Sequence, residues 1–158
     1  AYHFVSLKGN GTVWSWGYNK TGELGVGDNT NKTKPTQAIA EVEQSDGSKV
    51  DQKIEDAIDI AAGANQTLIL RKDGTVWATG YNKNGELGIG STSSYYTLPQ
   101  HVKTSDGKSI MTGVKDIATG TNHTIILKDD ETVWTFGYNG YYYELTCLLV
   151  LTKLIKNI

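Results

Sequence analysis

A single cysteine, Cys147, stands in a chain of 158 residues, so one copy can close neither an intrachain disulfide nor a thiolate zinc site. The redox compartment, and with it the localisation, is left open. Apolar residues are sparse at 38%, and charged ones at 20%, both below the usual share of a globular domain. Gly, Thr, Asn and Ser make up the difference, and these are residues of turns and strands. No basic block is long enough to follow a phosphate backbone, and the net charge is -2, which argues against nucleic acid as a direct partner. The most apolar run, LTCLLVLTKLIKNI from Leu145, is shorter than the roughly 20 residues of a spanning helix and holds two lysines, so no membrane span is read. The opening AYHFVSLKGNG shows no charged leader ahead of an apolar core, and no signal peptide is read there.

What is present is repetition. GTVWSWGYNKTGELGVG from Gly11 and GTVWATGYNKNGELGIG from Gly74 agree at thirteen of seventeen positions, and a third copy opens as ETVWTFGYNG at Glu131. Trp14, Trp77 and Trp134 lie 63 and then 57 positions apart, and Gly17, Gly80 and Gly137 keep the same steps. Regular spacing of this kind means repeated supersecondary units. The units run over residues 1–61, 62–117 and 118–140, the last incomplete, ahead of a divergent apolar tail over 141–158. The unequal steps come from the connector after Ile39, which is longer than its counterpart after Gln100.

Within a unit, TLILRKDGTVWATG reads as a β-hairpin with Asp73 and Gly74 at the two positive-φ positions of a type I′ turn. That turn sets Leu70 opposite Trp77, Leu68 opposite Thr79 and Ile69 opposite Ala78. The first copy then pairs Leu7 with Trp14 and Val5 with Trp16, and the third pairs Leu127 with Trp134 and Ile125 with Phe136. Both faces of such a ribbon are apolar, so it must be sandwiched between neighbours. Further short hairpins are expected around Ser45–Gly47 and Ser105–Gly107, giving about four strands per unit. The predicted fold is all-β: a partial β-propeller of stacked antiparallel four-stranded blades.

The stretches IAAGANQTLILRKDGTVWATGYNKNGELGIG and VKDIATGTNHTIILKDDETVWTFGYN resemble the repeat of the regulator of chromosome condensation family. The Ala-Gly pair, the DGxVWxxG hairpin and the NxxGELGxG loop occur in order over nearly all of residues 1–140. The resemblance implies a β-propeller, commonly seven-bladed. It also implies roles such as nucleotide exchange on a small GTPase, recruitment to chromatin or inhibition of a secreted enzyme. Two departures stand out: the first copy starts mid-unit at Ala1, and the glycine pattern is lost after Gly140, with Asp130-Glu131 replacing the turn Asp-Gly. Two to three blades do not close a ring, since closed propellers use about four to eight. Exposed edges favour self-association, and Leu148–Leu151 is expected to cap one edge.

Candidate chemistry is thin. His3 aligns with Gln66 and His123, a repeat position that suits a structural hydrogen bond, and His101 after Pro99 reads as a surface loop residue. Glu23 and Glu86 recur in GEL steps and read as loop organisers that accept from backbone N–H groups. No nucleophile elbow, phosphate loop, HExxH or calcium-loop spacing is found, so no catalytic residue, metal or cofactor is assigned. Trp14, Trp77 and Trp134 read as core. The binding candidates are Trp16, Tyr18, Lys20, Tyr81, Lys83, Tyr95 and Tyr96, because Tyr beside Asn, Lys and Ser on loops favours recognition and specificity resides where copies differ.

The leading function class is a non-catalytic scaffold for a protein partner whose identity the sequence does not give. A carbohydrate or cell-surface binding module and a truncated gene product without separate activity are the alternatives. An enzyme is disfavoured.

Overall fold

The computed structural model describes residues 2–91 and 93–138, and every statement below concerns these. The predicted tail cap at Leu148–Leu151 lies outside them. Three blades follow one another along the chain. The first sheet holds β1 (His3–Leu7), β2 (Val13–Gly17) and β3 (Lys32–Gln37) in that order. A separate two-stranded ribbon follows, β4 (Ile39–Glu43) with β5 (Lys49–Lys53). The second blade is four-stranded: β6 (Ala57–Ala62), β7 (Gln66–Arg71), β8 (Val76–Tyr81) and β9 (Tyr95–His101). The third holds β10 (Val114–Thr119), β11 (His123–Lys128) and β12 (Val133–Gly137). All neighbouring strands are antiparallel. The all-β partial propeller expected from the repeat is what the chain forms. Of the two expected outer hairpins, the one around Ser45–Gly47 becomes the β4–β5 ribbon. The other, around Ser105–Gly107, shortens to a single bridge between Lys103 and Ile110.

The central hairpin differs from the sequence expectation by one residue of register. Ile69, not Leu70, faces Trp77, while Leu68 faces Ala78 and Leu70 faces Val76. The same slip occurs in the other copies, where Ser6 faces Trp14, Phe4 faces Trp16, Ile126 faces Trp134 and Thr124 faces Phe136. The turn explains it. Gly74 N donates to Arg71 O at 3.0 Å and Arg71 N donates to Thr75 O at 3.0 Å, and Gly74, not Asp73, takes the positive φ of 76°. This is a three-residue loop, a type I turn closed by a left-handed residue, rather than a two-residue type I′ turn. Asp73 keeps an ordinary φ, and its carboxylate accepts from Thr75 N at 2.9 Å and Thr75 Oγ1 at 2.6 Å. Asn10 and Asp130 make the same bonds to Thr12 and Thr132.

The slip exchanges partners but leaves both faces of the ribbon apolar and buried. Leu68, Ile69 and Leu70 are at most 1% exposed. Ile69 and Trp77 pack with Val13, Ala57 and Ile54, against which Val5 and Leu7 of the first blade lie. Leu68, Leu70, Val76 and Ala78 pack with Ile117 and Ile126 of the third blade, with Trp134 and Phe136 against them. The second blade therefore contributes to a core on each of its faces. Such large buried side chains typically contribute about 2–5 kcal/mol each when truncated to Ala.

The third hairpin keeps the turn of the other two although Glu131 occupies the glycine position, at φ 66°. A left-handed conformation costs an L-residue on the order of 1–2 kcal/mol. Replacing Glu131 with glycine is therefore expected to raise the free energy of unfolding by about 1 kcal/mol in urea denaturation, and Gly74→Glu to lower it by a similar amount; no gain for Glu131→Gly would contradict this turn geometry.

Candidate functional site

The loops after β2 and β8 are built from the same side chains in the same roles. Asn19 and Asn82 are fully buried, and their Oδ1 atoms accept from Leu24 N at 3.0 Å and Leu87 N at 2.9 Å. The carboxylate of Glu23, also fully buried, accepts from Thr21 N at 2.9 Å and Thr21 Oγ1 at 2.7 Å, while Glu86 accepts from the Asn84 N at 2.8 Å and Nδ2 at 2.7 Å. The recurring acids are loop organisers, as their repetition implies. Their oxygens are turned into their own loops.

Each loop then docks on the next blade. The Thr67 hydroxyl donates to Glu23 O at 2.7 Å, the Thr79 hydroxyl to Gly22 O at 2.8 Å, and the Thr124 hydroxyl to Glu86 O at 2.8 Å. Sequence reasoning missed these threonines, since their acceptors are main-chain carbonyls 38 to 57 residues away. Gly22 lies so close to the second blade that a Cβ there would collide with the main-chain oxygen of Tyr96. The close approach brings the loop carrying Lys20 beside the start of β9.

Tyr95 and Tyr81 are cross-strand partners there. Tyr95 and Tyr18 are 43% and 40% exposed, Lys20 and Lys83 are exposed, and Tyr81 is half-buried. Tyr96 is drawn inward: it packs against the core between the second and third blades, and its hydroxyl lies 3.0 Å from Ser91 Oγ. Trp16 lies elsewhere, on the first blade's outer face, where it stacks on Phe4 with ring centroids 5.6 Å apart. The structure thus places Tyr18, Lys20, Tyr81, Lys83 and Tyr95 in or beside the loops after β2 and β8, with Tyr18 edge-on to Tyr2, and sets Trp16 apart.

The histidines divide as well. His3 is buried and its Nε2 lies 2.9 Å from Thr67 Oγ1 across the blade boundary. Gln66 in the equivalent place donates from Nε2 to Thr119 Oγ1 at 2.8 Å and Gly120 O at 3.2 Å. Both act structurally. His101 corrects the sequence reading: it ends β9 instead of lying in a surface loop, and its ring centroid is 4.3 Å from that of Trp77. Burial, with the Arg71 charge second, holds its pKa below the usual histidine value. Arg71 stands over the indole at 5.4 Å and grips Asp56 through Nε and Nη2. Among the described residues no cluster of three or more His, Cys, Asp or Glu could hold a metal ion, and no helix is long and apolar enough to cross a membrane.

Antiparallel blades with hydroxyl-docked loops define a repeat protein of the β-propeller class. The Regulator of chromosome condensation (RCC1) repeat matches residues 10–70 and 73–127, and a second description of that repeat matches 57–86 and 114–142. The chain belongs to the RCC1 repeat family. It is 27% identical to the zebrafish (Danio rerio) Protein RCC2 homolog, with 88% of this chain and 30% of that protein covered. It is 31% identical to the human (Homo sapiens) E3 ubiquitin-protein ligase HERC2, covering 89% of this chain and 3% of that protein. Human WBSCR16 superposes with a TM-score of 0.68 at 20% identity, over 89% of this chain and 33% of that one. Yeast RCC1 (Prp20), solved bound to Kap60, gives 0.64 at 22% identity, over 87% and 30%. The chain therefore spans about a third or less of the relatives it matches.

Burial holds the His3 pKa down at about 4, against 6.5 for a free histidine. The folded state binds the proton less readily than the unfolded one, so the contribution to stability is complete above pH 6.5 and is lost as pH falls from 6.5 towards 4. Urea denaturation across that window is expected to show a fall on the order of 2 kcal/mol, and His3→Gln, which copies Gln66, should flatten it. An unchanged pH slope in His3→Gln would contradict this assignment.

Proposed function

We propose that this chain is a propeller segment acting as a non-catalytic scaffold, which presents the loop rim of Tyr18, Lys20, Tyr81, Lys83 and Tyr95 to a protein partner. The observation that carries the reading is the division of labour in the loops. In the loops after β2 and β8 the recurring Asn19, Asn82, Glu23 and Glu86 are spent inside, whereas Tyr18, Lys20, Lys83 and Tyr95 are exposed and Tyr81 is half-buried. Rigid loops bearing Tyr offer a large amphipathic contact area at low entropic cost, which is the composition of recognition surfaces. A general acid or base needs a titratable group facing a cleft, and Glu23 and Glu86 face their own backbones instead. Solved relatives support protein binding as the working mode, since yeast RCC1 (Prp20) has been solved with Kap60 and studied for binding to Gsp1p and histones. Blades beyond these three, from the same or another chain, would complete a ring, because closed propellers use about four to eight.

The test is quantitative affinity capture with the protein in its full-length context, comparing wild type with a Tyr18→Ala/Lys20→Ala/Tyr81→Ala/Lys83→Ala variant and a Lys8→Ala/Lys115→Ala control of exposed lysines outside these loops. The expected outcome is one or more specific partners depleted at least tenfold by the rim variant alone, with the melting temperature unchanged. An identical partner set for all three would overturn the rim as the interface.

A further inference from the structure

The β4–β5 ribbon lies against the blades through β4, whose Ala40 is buried with Val13, Ala57 and Trp77, and carries β5 on the outside. All five residues of β5 are exposed, and β5 pairs with β4 alone. Its hydrogen-bond parity is fixed at both ends: Gln44 N donates to Ser48 O at 2.7 Å and Ile54 N donates to Ala38 O at 3.1 Å. In the register that pairs Val42 with Val50 and Ala40 with Gln52, alternation turns the main-chain groups of Val50 and Gln52 towards β4. Those of Lys49, Asp51 and Lys53 then point outward, as an open edge that another extended chain can extend.

Beneath the face that bears Ala40, Val42 and Gln52 is a cavity of about 230 Å³, walled on the blade side by Trp77, Ile54 and Arg71. Trp77 departs here from its repeats. Trp14 Nε1 donates to Thr12 Oγ1 at 3.0 Å and Trp134 Nε1 to Thr132 Oγ1 at 3.1 Å, but Trp77 Nε1, in a residue 4% exposed, has no hydrogen-bond partner. A buried donor without an acceptor is costly and calls for an occupant that can accept. The surrounding charge selects the occupant further. Residues 39–56 carry six acidic and two basic side chains, while the whole chain is at only -2.

We propose that the outer edge of β5 docks an extended basic segment of a partner protein, whose main chain pairs with Lys49, Asp51 and Lys53. One uncharged acceptor-bearing side chain, such as glutamine, enters the cavity beside Trp77. A residue opposite Gln52 in the added strand shares the face of Gln52 and so is directed at the cavity. The inference rests on the reading of the chain as a protein-binding scaffold but uses a different surface from the loop rim.

The probe is a fluorescent, end-blocked heptapeptide Lys-Val-Lys-Gln-Lys-Val-Lys, titrated by anisotropy against the whole chain at low salt. Saturable binding is expected, at least tenfold weaker for the counterpart with every Lys replaced by Glu. It should be at least threefold weaker with Leu in place of Gln, and that preference should vanish in Trp77→Phe. Asp51→Pro should weaken binding tenfold, because its N–H points away from β4 and proline there spares the ribbon's own ladder. Hydrogen exchange on the wild type gives an independent reading, with the Lys49, Asp51 and Lys53 amides gaining protection when peptide is added. Absence of saturable binding, equal affinity for the Lys and Glu peptides, or no added protection at those amides would overturn the proposal. If affinity capture still depends on the loop rim in that event, the scaffold reading stands and this docking edge alone falls.

Discussion

The constraint on which this molecule depends is the two-sided burial of its middle hairpin. A ribbon with Leu68, Leu70, Val76 and Ala78 on one face and Ile69 and Trp77 on the other has no side to give to water. It is stable only when a sheet lies against each face, and the chain supplies those sheets by repeating the same unit before and after it. Hydrophobic burial at roughly 25 cal/mol per Å² of apolar surface gives the stack its cohesion, while hydrogen bonds set its spacing. The spacing bonds are few and specific: Thr67 and Thr79 reach back to the loop of the first blade, and Thr124 to that of the second.

The same constraint accounts for how the loops divide their residues. A loop pressed against the next blade must leave no main-chain group without a partner, so Asn19, Asn82, Glu23 and Glu86 turn inward and are fully buried. What remains exposed around these loops is chiefly Tyr18, Lys20, Lys83 and Tyr95. On the first blade's face turned away from the second, the pattern changes. Phe4 and Trp16 hold the places of Thr67 and Thr79 and stack on one another instead of binding a loop carbonyl, with Phe4 61% exposed.

Much of the architecture was legible in the sequence because it is written in repetition. Thirteen shared letters and the tryptophan spacing suffice for repeated strands and hairpins, both apolar faces of the ribbon follow from alternation alone, and the family was legible through the resemblance of the DGxVWxxG hairpin and the NxxGELGxG loop. The register was not legible. Asp-Gly suits both a two-residue and a three-residue loop, and the choice lies in the Asp73 carboxylate bonding Thr75, which is a matter of geometry and not of residue type. His101 was misplaced because the sequence does not reveal that β9 carries it onto Trp77. The candidate rim was half legible: surface Tyr and Lys could be named, but Tyr96 and Trp16 leave the rim for reasons of packing that only the assembled blades create. The threonine contacts carried no motif at all.

A direct measurement of the central claim is native-state hydrogen exchange at the amides of β7 in the wild type, in Val13→Ala and in Ile126→Ala. Val13 lies on the first blade and Ile126 on the third, so each substitution thins the core on one face of the hairpin without touching the hairpin itself. The account predicts that the amides of Leu68, Ile69 and Leu70 exchange faster in both variants. Exchange at β7 that is indifferent to either substitution would mean that the middle blade stands without that neighbour, and the account would be wrong.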